Sequence, residues 1–222
     1  MIFTFCDEAG EERLEIKGEL FKYLIKVRRH HIGDQIAMRT KHTPQMLYIY
    51  EVVSIDARSV LLHRLECREE VIKASSFLHL GWCLIDPKSI EKVLPMLNEI
   101  GVSKITFITC KRSQKQFKPD FKRFDRILEA SSQQCGRSEN MQFDTCESLS
   151  RFLEHYPDAA VLDFVNETFG NAKPQTLIVG CEGGFDEQER QLFQNQMRYR
   201  FDTPLVLRSE SAVVVASSKI LL

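Results

Sequence analysis

Between Val179 and Asp186 the chain reads V-G-C-E-G-G-F-D, directly after the apolar run Thr176–Val179 and before a helical pattern. Glycines tolerate positive φ and let a ligand approach the backbone closely. In an open α/β sheet, ligands sit outside the carboxyl ends of the strands, where such a loop lies. The loop lacks the Lys-Ser/Thr of a P-loop and is not G-x-G-x-x-G, so a nucleotide polyphosphate is disfavoured. Asp186 and Glu189 have the D-x-x-E spacing of a helix N-cap and its reciprocal partner. By itself such a loop is weak evidence for a ligand, and a plain tight turn is the stronger reading.

Three other segments fall at comparable places. In Leu207-Arg208-Ser209-Glu210-Ser211-Ala212, Ser209 is predicted to cap a helix starting near Glu210, whose positive end would face the same edge. Lys111-Arg112-Ser113 follows the apolar run Ile105–Cys110, again at a carboxyl end. Glu129-Ala130-Ser131-Ser132-Gln133-Gln134-Cys135-Gly136-Arg137 closes a helix, where an arginine has an ordinary dipole explanation.

The elements that must position these residues fall into two patterns. Residues 1–70 carry short apolar or alternating runs, Met1–Phe5, Gln35–Arg39, Met46–Ile55 and Ser59–Leu65, separated by turn signals at Gly10, Gly33-Asp34, Thr43-Pro44 and Asp56. Such spacing predicts a small β-barrel or meander, with one short amphipathic helix over Gly18–Arg28. Residues 71–222 alternate strand and helix patterns, which predicts an α/β domain with a largely parallel sheet. Its expected strands are Phe77–Ile85, Ile105–Cys110, Ala159–Phe164, Thr176–Gly180 and Leu205–Leu207. Its expected helices are one marked by Ile90, Val93, Leu94, Leu97 and Ile100, then Phe121–Gln134, Asp186–Met197 and Glu210–Leu222. Gly101 is read as the stop of the first, and Pro95 inside it predicts a kink or an early break.

Composition narrows the classes. The chain has 222 residues, 43% hydrophobic and 27% charged, which suits one or two globular domains and excludes disorder as the main state. No apolar run is long enough to span a bilayer, and MIFTFCDEAGEE is not a signal peptide. Thirty Lys/Arg against 31 Asp/Glu do not advertise nucleic-acid binding overall, but the charge is uneven. Lys22–His31 holds four Lys/Arg, two His and no acid, while Lys104–Arg126 holds eight Lys/Arg against Asp120 and Asp125. Each stretch reads as a solvated face or as a footprint for phosphates. Seven scattered cysteines without a C-x-x-C pair predict no metal site and reduced, mostly buried thiols in a cytoplasmic protein.

The ordered motifs carry a resemblance. V-G-C-E-G-G-F with L-R-S-E-S-A is similar to the I-G-P-E-G-G-F and L-R-T-E-T-A pair of the bacterial 16S ribosomal RNA uridine N3-methyltransferases of the SPOUT superfamily, the RsmE family. K-R-S after a strand, E-A-S-S-Q-Q-C-G-R at a helix end, and V-R-R-H-H-I-G-D near the N-terminus match the family's order from about Tyr23 to Ala212. The chain departs from the pattern at Cys181, where the family has Pro, at Asp202-Thr203-Pro204-Leu205, which replaces L-G-x-R, and at Tyr23, which replaces His.

The resemblance implies a PUA-like β-barrel over residues 1–70 and, over 71–222, a SPOUT α/β domain with a deep trefoil knot. It implies S-adenosylmethionine as cofactor, a homodimer, and 16S rRNA of the small ribosomal subunit as substrate, with no membrane or metal partner. Carried over, Val179, Gly180, Glu182, Gly183 and Gly184 would wrap the cofactor, with Leu162, Leu205, Leu207 and Ser209 beside it. Arg112, Gln134 and Arg137 would face RNA or the transfer centre, and Arg28 and Arg29 would meet phosphates. Uridine N3 carries a proton that must leave. Glu182 and Glu210 are candidates to accept it, and Arg112 to stabilise the anionic uracil. N3 lies on the pairing edge, so the base must be unpaired or flipped out. Cys181 reads as a small filler, because N-methylation needs no covalent intermediate. The alternatives are a ribose 2′-O-methyltransferase of the same superfamily, a non-catalytic RNA-binding or ribosome-assembly protein, and a flavodoxin-like nucleotide binder.

Overall fold

The structure, a computed structural model, describes residues 2–114 and 118–222. Met1 and Lys115, which belong to an expected strand and to one basic stretch, lie outside the described residues. The chain divides into two compact units. One holds the residues up to Lys73 together with Ser132–Glu139, and the other holds Ala74–Ser131 and Asn140–Leu222.

In the first unit, β1 (Thr4–Phe5), β2 (Arg13–Lys17), β3 (Gln35–Arg39), β4 (Met46–Ile55) and β5 (Ser59–Glu69) form a mixed sheet in the order β1-β3-β4-β5-β2. Of these strand pairs, β1 and β3 run parallel and the others antiparallel. β2 has the alternation that buries Leu14 and Ile16. Those side chains join Leu24, Met38, Tyr50 and Leu62 in the core. The Tyr50 hydroxyl accepts from the Gly10 N–H at 2.9 Å and donates to the Glu11 carbonyl at 2.8 Å, so it is satisfied inside that core. The expected helix over Gly18–Arg28 is a short α1 (Gly18–Phe21) that widens into a π-helical segment, Lys22–Val27. It ends where the Arg28 N–H bonds the Tyr23 carbonyl at 2.9 Å, and Arg29 then takes φ 61°.

The second unit is α/β. Its sheet has the order β11-β9-β10-β6-β7-β8, and every pairing in it is parallel. The elements run β6 (His79–Cys83), α2 (Pro87–Ile100), β7 (Lys104–Ile108), α3 (Phe121–Cys135), β8 (Gln142–Cys146), α4 (Leu149–His155), β9 (Ala160–Leu162), β10 (Thr176–Val179), α5 (Glu187–Gln191), β11 (Arg198–Tyr199) and α6 (Ser209–Leu221). The last residues of α3 group with the first unit. Leu80, Trp82, Phe107, Phe124, Phe152 and Ile178 are among the fully covered side chains of the core. Asp86 caps α2 by accepting from the Ser89 N–H at 3.1 Å, and Gly101 ends it at φ 105°, a conformation that glycine adopts without Cβ strain.

Several expectations are corrected. α2 runs through Pro95 to Ile100, so no early break occurs there. The expected helix Asp186–Met197 is only α5, because Leu192, Phe193 and Gln196 bond three residues back and turn the chain toward β11. Leu205–Leu207 is not a strand. Pro204 has no N–H to donate, and the Leu205 N–H is taken by Thr203 Oγ1 at 3.2 Å. β11 takes the place beside β9 instead. Cys83 and Cys110 are joined as a disulfide rather than standing as two thiols, with Cα atoms 5.9 Å apart. The β6–β7 register explains the meeting: Cys83 pairs with Ile108, and Cys110 lies two residues on, on the same face. Of the five free cysteines, Cys6 and Cys181 are buried, Cys146 is half-buried and Cys67 and Cys135 are exposed, so the free thiols are not mostly buried either.

Candidate active site at the carboxyl ends of the central strands

β9 and β10 end at Leu162 and Val179, and a cleft of about 280 Å³ opens beyond them. One wall is the glycine loop: Val179, Gly180, Glu182 and Gly184 all line the cleft. The other is the irregular segment before α6, with Leu205, Leu207 and Ser209. A methyl group built at Gly184, φ 63°, would meet nothing within 4 Å, so any side chain there would project into open space.

Ser209 is not the cap that its sequence suggests. It is the first residue of α6, and Arg208 precedes it without a side-chain cap. Its buried hydroxyl donates to the Gly180 carbonyl and accepts from Trp82 Nε1 at 2.9 Å. The start of α6, the glycine loop and strand β6 are thereby tied at one atom.

Arg112 and Gly183 stand at the loop's outer side. Arg112 Nη1 donates to the Gly183 carbonyl at 2.5 Å. A Cβ at Gly183 would lie 3.1 Å from Arg112 Cδ and 3.2 Å from its Cβ, so the absent side chain is what admits the arginine. Asp186 and Glu189 form the expected capping box, with Glu189 Oε2 accepting from the Asp186 N–H at 3.0 Å and Asp186 Oδ1 from the Glu189 N–H at 2.8 Å. That N–H bond, and the Lys111 ammonium 2.9 Å away, hold the Asp186 carboxyl below the usual carboxylate range. Burial pushes the Cys181 thiol up, so it stays neutral beside the cleft.

The sequence missed other lining residues. Asp163 follows Leu162 into the cleft, and its carboxylate accepts from Arg190 Nε and Nη2, both at 3.1 Å. Nothing in its local sequence signals this, because its partner is on α5. Phe164, Leu205 and Val206 are each at least 71% exposed at the cleft. Glu210 lies in the first turn of α6 and does not line the cleft.

Of the remaining predicted residues, Arg28 and Arg29 are exposed in the first unit. Arg28 Nε donates to the Tyr23 hydroxyl at 2.8 Å, and Arg28 and His30 border a second cleft of about 270 Å³ beside β1 and β3. Gln134 is exposed near the end of α3. Arg137 is different: its side chain is only 5% exposed, and its Nε donates to the Glu139 carbonyl at 2.8 Å. Among the described residues, no helix is long and apolar enough to cross a membrane, and no cluster of three or more His, Cys, Asp or Glu could hold a metal.

In open α/β sheets, ligands bind in the crevice outside the carboxyl ends of the strands, which is where this cleft lies. Residues 73–221 match the RNA methyltransferase domain family. A ribosomal RNA small subunit methyltransferase E of Helicobacter pylori is 37% identical over 98% of this chain and 98% of its own length. The chain belongs to the ribosomal RNA small subunit methyltransferase E family. Two solved structures have the same fold. The family's Neisseria gonorrhoeae member, bound to S-adenosyl methionine, superposes with TM-score 0.76 at 15% identity, covering 98% of this chain and 96% of that one. A Legionella pneumophila methyltransferase structure with bound cofactor SAM gives TM-score 0.76 at 21% identity, covering 99% and 95%.

Proposed function

We propose that this chain methylates N3 of a uridine in 16S rRNA of the small ribosomal subunit, with S-adenosylmethionine as methyl donor. The observation that carries the reading is the cleft at the ends of β9 and β10, with the Arg112 side chain lying on the glycine loop beside it.

The cleft's chemistry suits that cofactor. Leu162, Val179, Leu205 and Leu207 offer apolar surface for a flat purine, and the bare Cα of Gly184 leaves room at the wall. Glu182 adds an exposed carboxylate for a cationic ligand, whereas the Asp163 carboxylate is already paired with Arg190. When bound, S-adenosylmethionine supplies a methyl group already activated on a sulfonium. The protein then has to orient the uracil, exclude water and manage the N3 proton. The exposed Glu182 carboxylate is the better placed proton acceptor, because Glu210 does not line the cleft. Arg112 stabilises the uracil as N3 loses its proton. The neutral, buried Cys181 serves as packing rather than as a nucleophile.

The first unit is a PUA-like barrel in this reading, and Arg28 and Arg29 hold phosphates beside the second cleft. Gln134 adds a polar contact to the RNA, while Arg137 stabilises its own unit from within. The second unit carries the trefoil knot. The chain works as a homodimer in this reading, and the exposed apolar side chains Phe164 and Val206 support it as surface for a second copy to cover.

Nucleoside mass spectrometry of small-subunit rRNA from cells with and without the gene tests the assignment. Loss of N3-methyluridine, restored by the wild-type chain and not by Arg112→Ala, is the expected result. Loss of a ribose methyl instead would point to 2′-O transfer, and no change would leave a binding protein.

A further inference from the structure

Glu189 does more than a capping residue needs to. A capping box uses the glutamate for the N-cap N–H alone. Here Oε2 accepts that bond, from Asp186, and Oε1 accepts a second one, 2.8 Å from the Lys111 N–H, 78 residues away in sequence. The side chain is nearly fully buried at 7% exposure, so both bonds are shielded from water.

The second bond has a direct consequence. Lys111 is the residue before Arg112, and Arg112 donates to the Gly183 carbonyl. The Lys111 ammonium meanwhile reaches Asp186 at 2.9 Å, the residue that Glu189 caps. A closed ring results, from Glu189 through Lys111, Arg112, Gly183 and Asp186 back to Glu189. The root of the 111–113 turn is fixed as well, since Ser113 Oγ accepts from the Cys110 N–H at 3.0 Å. Arg112 is the exposed outer member of that turn, and of the five ring residues Glu189 is the one that is buried.

We infer that Glu189 is a positioning residue for methyl transfer: its two carboxylate oxygens lock the Lys111–Arg112 turn to the glycine loop and so aim Arg112 at the uracil. The inference rests on the methyltransferase reading and assigns Glu189 no contact with substrate or cofactor. A carboxylate is required because both neighbours present N–H donors. Glutamine has one accepting oxygen, and its NH₂ would face the other donor.

The test is single-turnover and steady-state transfer of labelled methyl from S-adenosylmethionine to small-subunit rRNA by the full chain. Wild type is compared with Glu189→Gln, Arg112→Ala and the double variant, and S-adenosylmethionine affinity is measured for each by equilibrium dialysis. Glu189→Gln is expected to lower kcat at least about tenfold, the scale of a weakened preorganised contact, with cofactor affinity within about twofold. In the Arg112→Ala background the same substitution is expected to cost no more than about twofold further, because it acts through Arg112. Glu189→Asp, which keeps the charge with a shorter reach, takes the place of Glu189→Gln should that variant not fold. Unchanged kcat, a main loss in cofactor affinity, or multiplicative losses in the double variant would each overturn the inference. Failure of both Glu189 variants to fold would also overturn it, by making the residue a structural cap. A wild-type chain that binds S-adenosylmethionine and rRNA but transfers no methyl would instead sink the functional reading, and this inference with it.

Discussion

The Ser209 hydroxyl donates to the Gly180 carbonyl, 29 residues earlier in the chain, and accepts from the indole N–H of Trp82 on β6. One buried oxygen therefore joins the start of α6, the glycine loop and the middle of the sheet. Removing it leaves the Trp82 N–H without a partner inside the core, which costs about 1–3 kcal/mol. Ser209→Ala is expected to lower the unfolding free energy by that amount. It is also expected to weaken S-adenosylmethionine binding by about tenfold as the Gly180 loop loosens. Ser209→Thr keeps the hydroxyl and is expected to retain most of both. Denaturant unfolding and equilibrium dialysis on the three proteins check this. Full cofactor affinity in the alanine variant would show that the loop is held by other contacts.

Arg28 and Arg29 make a separable prediction in the first unit. Both are exposed, and Arg29 sits at φ 61° at the end of the π-helical segment. If they hold phosphates, Arg28→Ala and Arg29→Ala lower RNA affinity and also flatten its salt dependence. The slope of log K against log salt should fall by roughly 0.7–0.9 for each phosphate that is no longer neutralised. Filter binding of small-subunit rRNA across a salt series measures it. Weaker binding with an unchanged slope would mean that the two arginines shape the fold rather than meet phosphates.

Gly81 in β6 tests the packing behind the site. A Cβ there would fall 2.6 Å from Phe152 Cζ and 2.8 Å from its Cε1. Phe152 is itself packed against His79 and Tyr156 and cannot swing aside cheaply. Gly81→Ala is expected to cost about 1–3 kcal/mol by overpacking. Gly81→Ala with Phe152→Leu should recover part of that loss in thermal unfolding. An alanine variant as stable as wild type would show that the packing of α4 on β6 yields.

What the sequence makes legible follows from local physics. Gly101 and Asp186 announce helix boundaries because the signals are carried by single residues with their own backbone chemistry. The cleft is legible for the same reason, since the glycine loop and the L-R-S-E-S-A segment are contiguous stretches. Elements fixed by partners are not. β8 is an edge strand with largely exposed residues, β11 has two residues, and α4 only seven. Leu205–Leu207 looks like a strand by composition, but its side chains sit at the cleft. The tie from Ser209 to Gly180 and Trp82, the Asp163–Arg190 pair and the reach of Glu189 to Lys111 all join distant segments. No spacing rule within one segment could reveal them.

His79 supplies the pH dependence. It is buried in β6, its Nε2 lies 2.7 Å from Thr106 Oγ1, and its ring meets Tyr156 edge-on at 4.5 Å. Burial, with the Lys104 ammonium adding to it against a weaker opposing pull from Asp144, lowers its pKa to about 4. The unfolded chain binds this proton near pH 6.5, while the folded chain refuses it until about pH 4. Between those values the unfolded state holds more protons, so stability rises with pH and is lost as pH falls through the window. The loss is complete below the folded value and amounts to ~3 kcal/mol. His79→Gln can still bond Thr106 but has no proton to take up. It should therefore remove this contribution, leaving only the acid sensitivity of the carboxylates. Urea unfolding of both proteins at about pH 7 and about pH 4.5 separates the two parts. An equal pH-dependent loss in both would show that His79 is not the group that titrates.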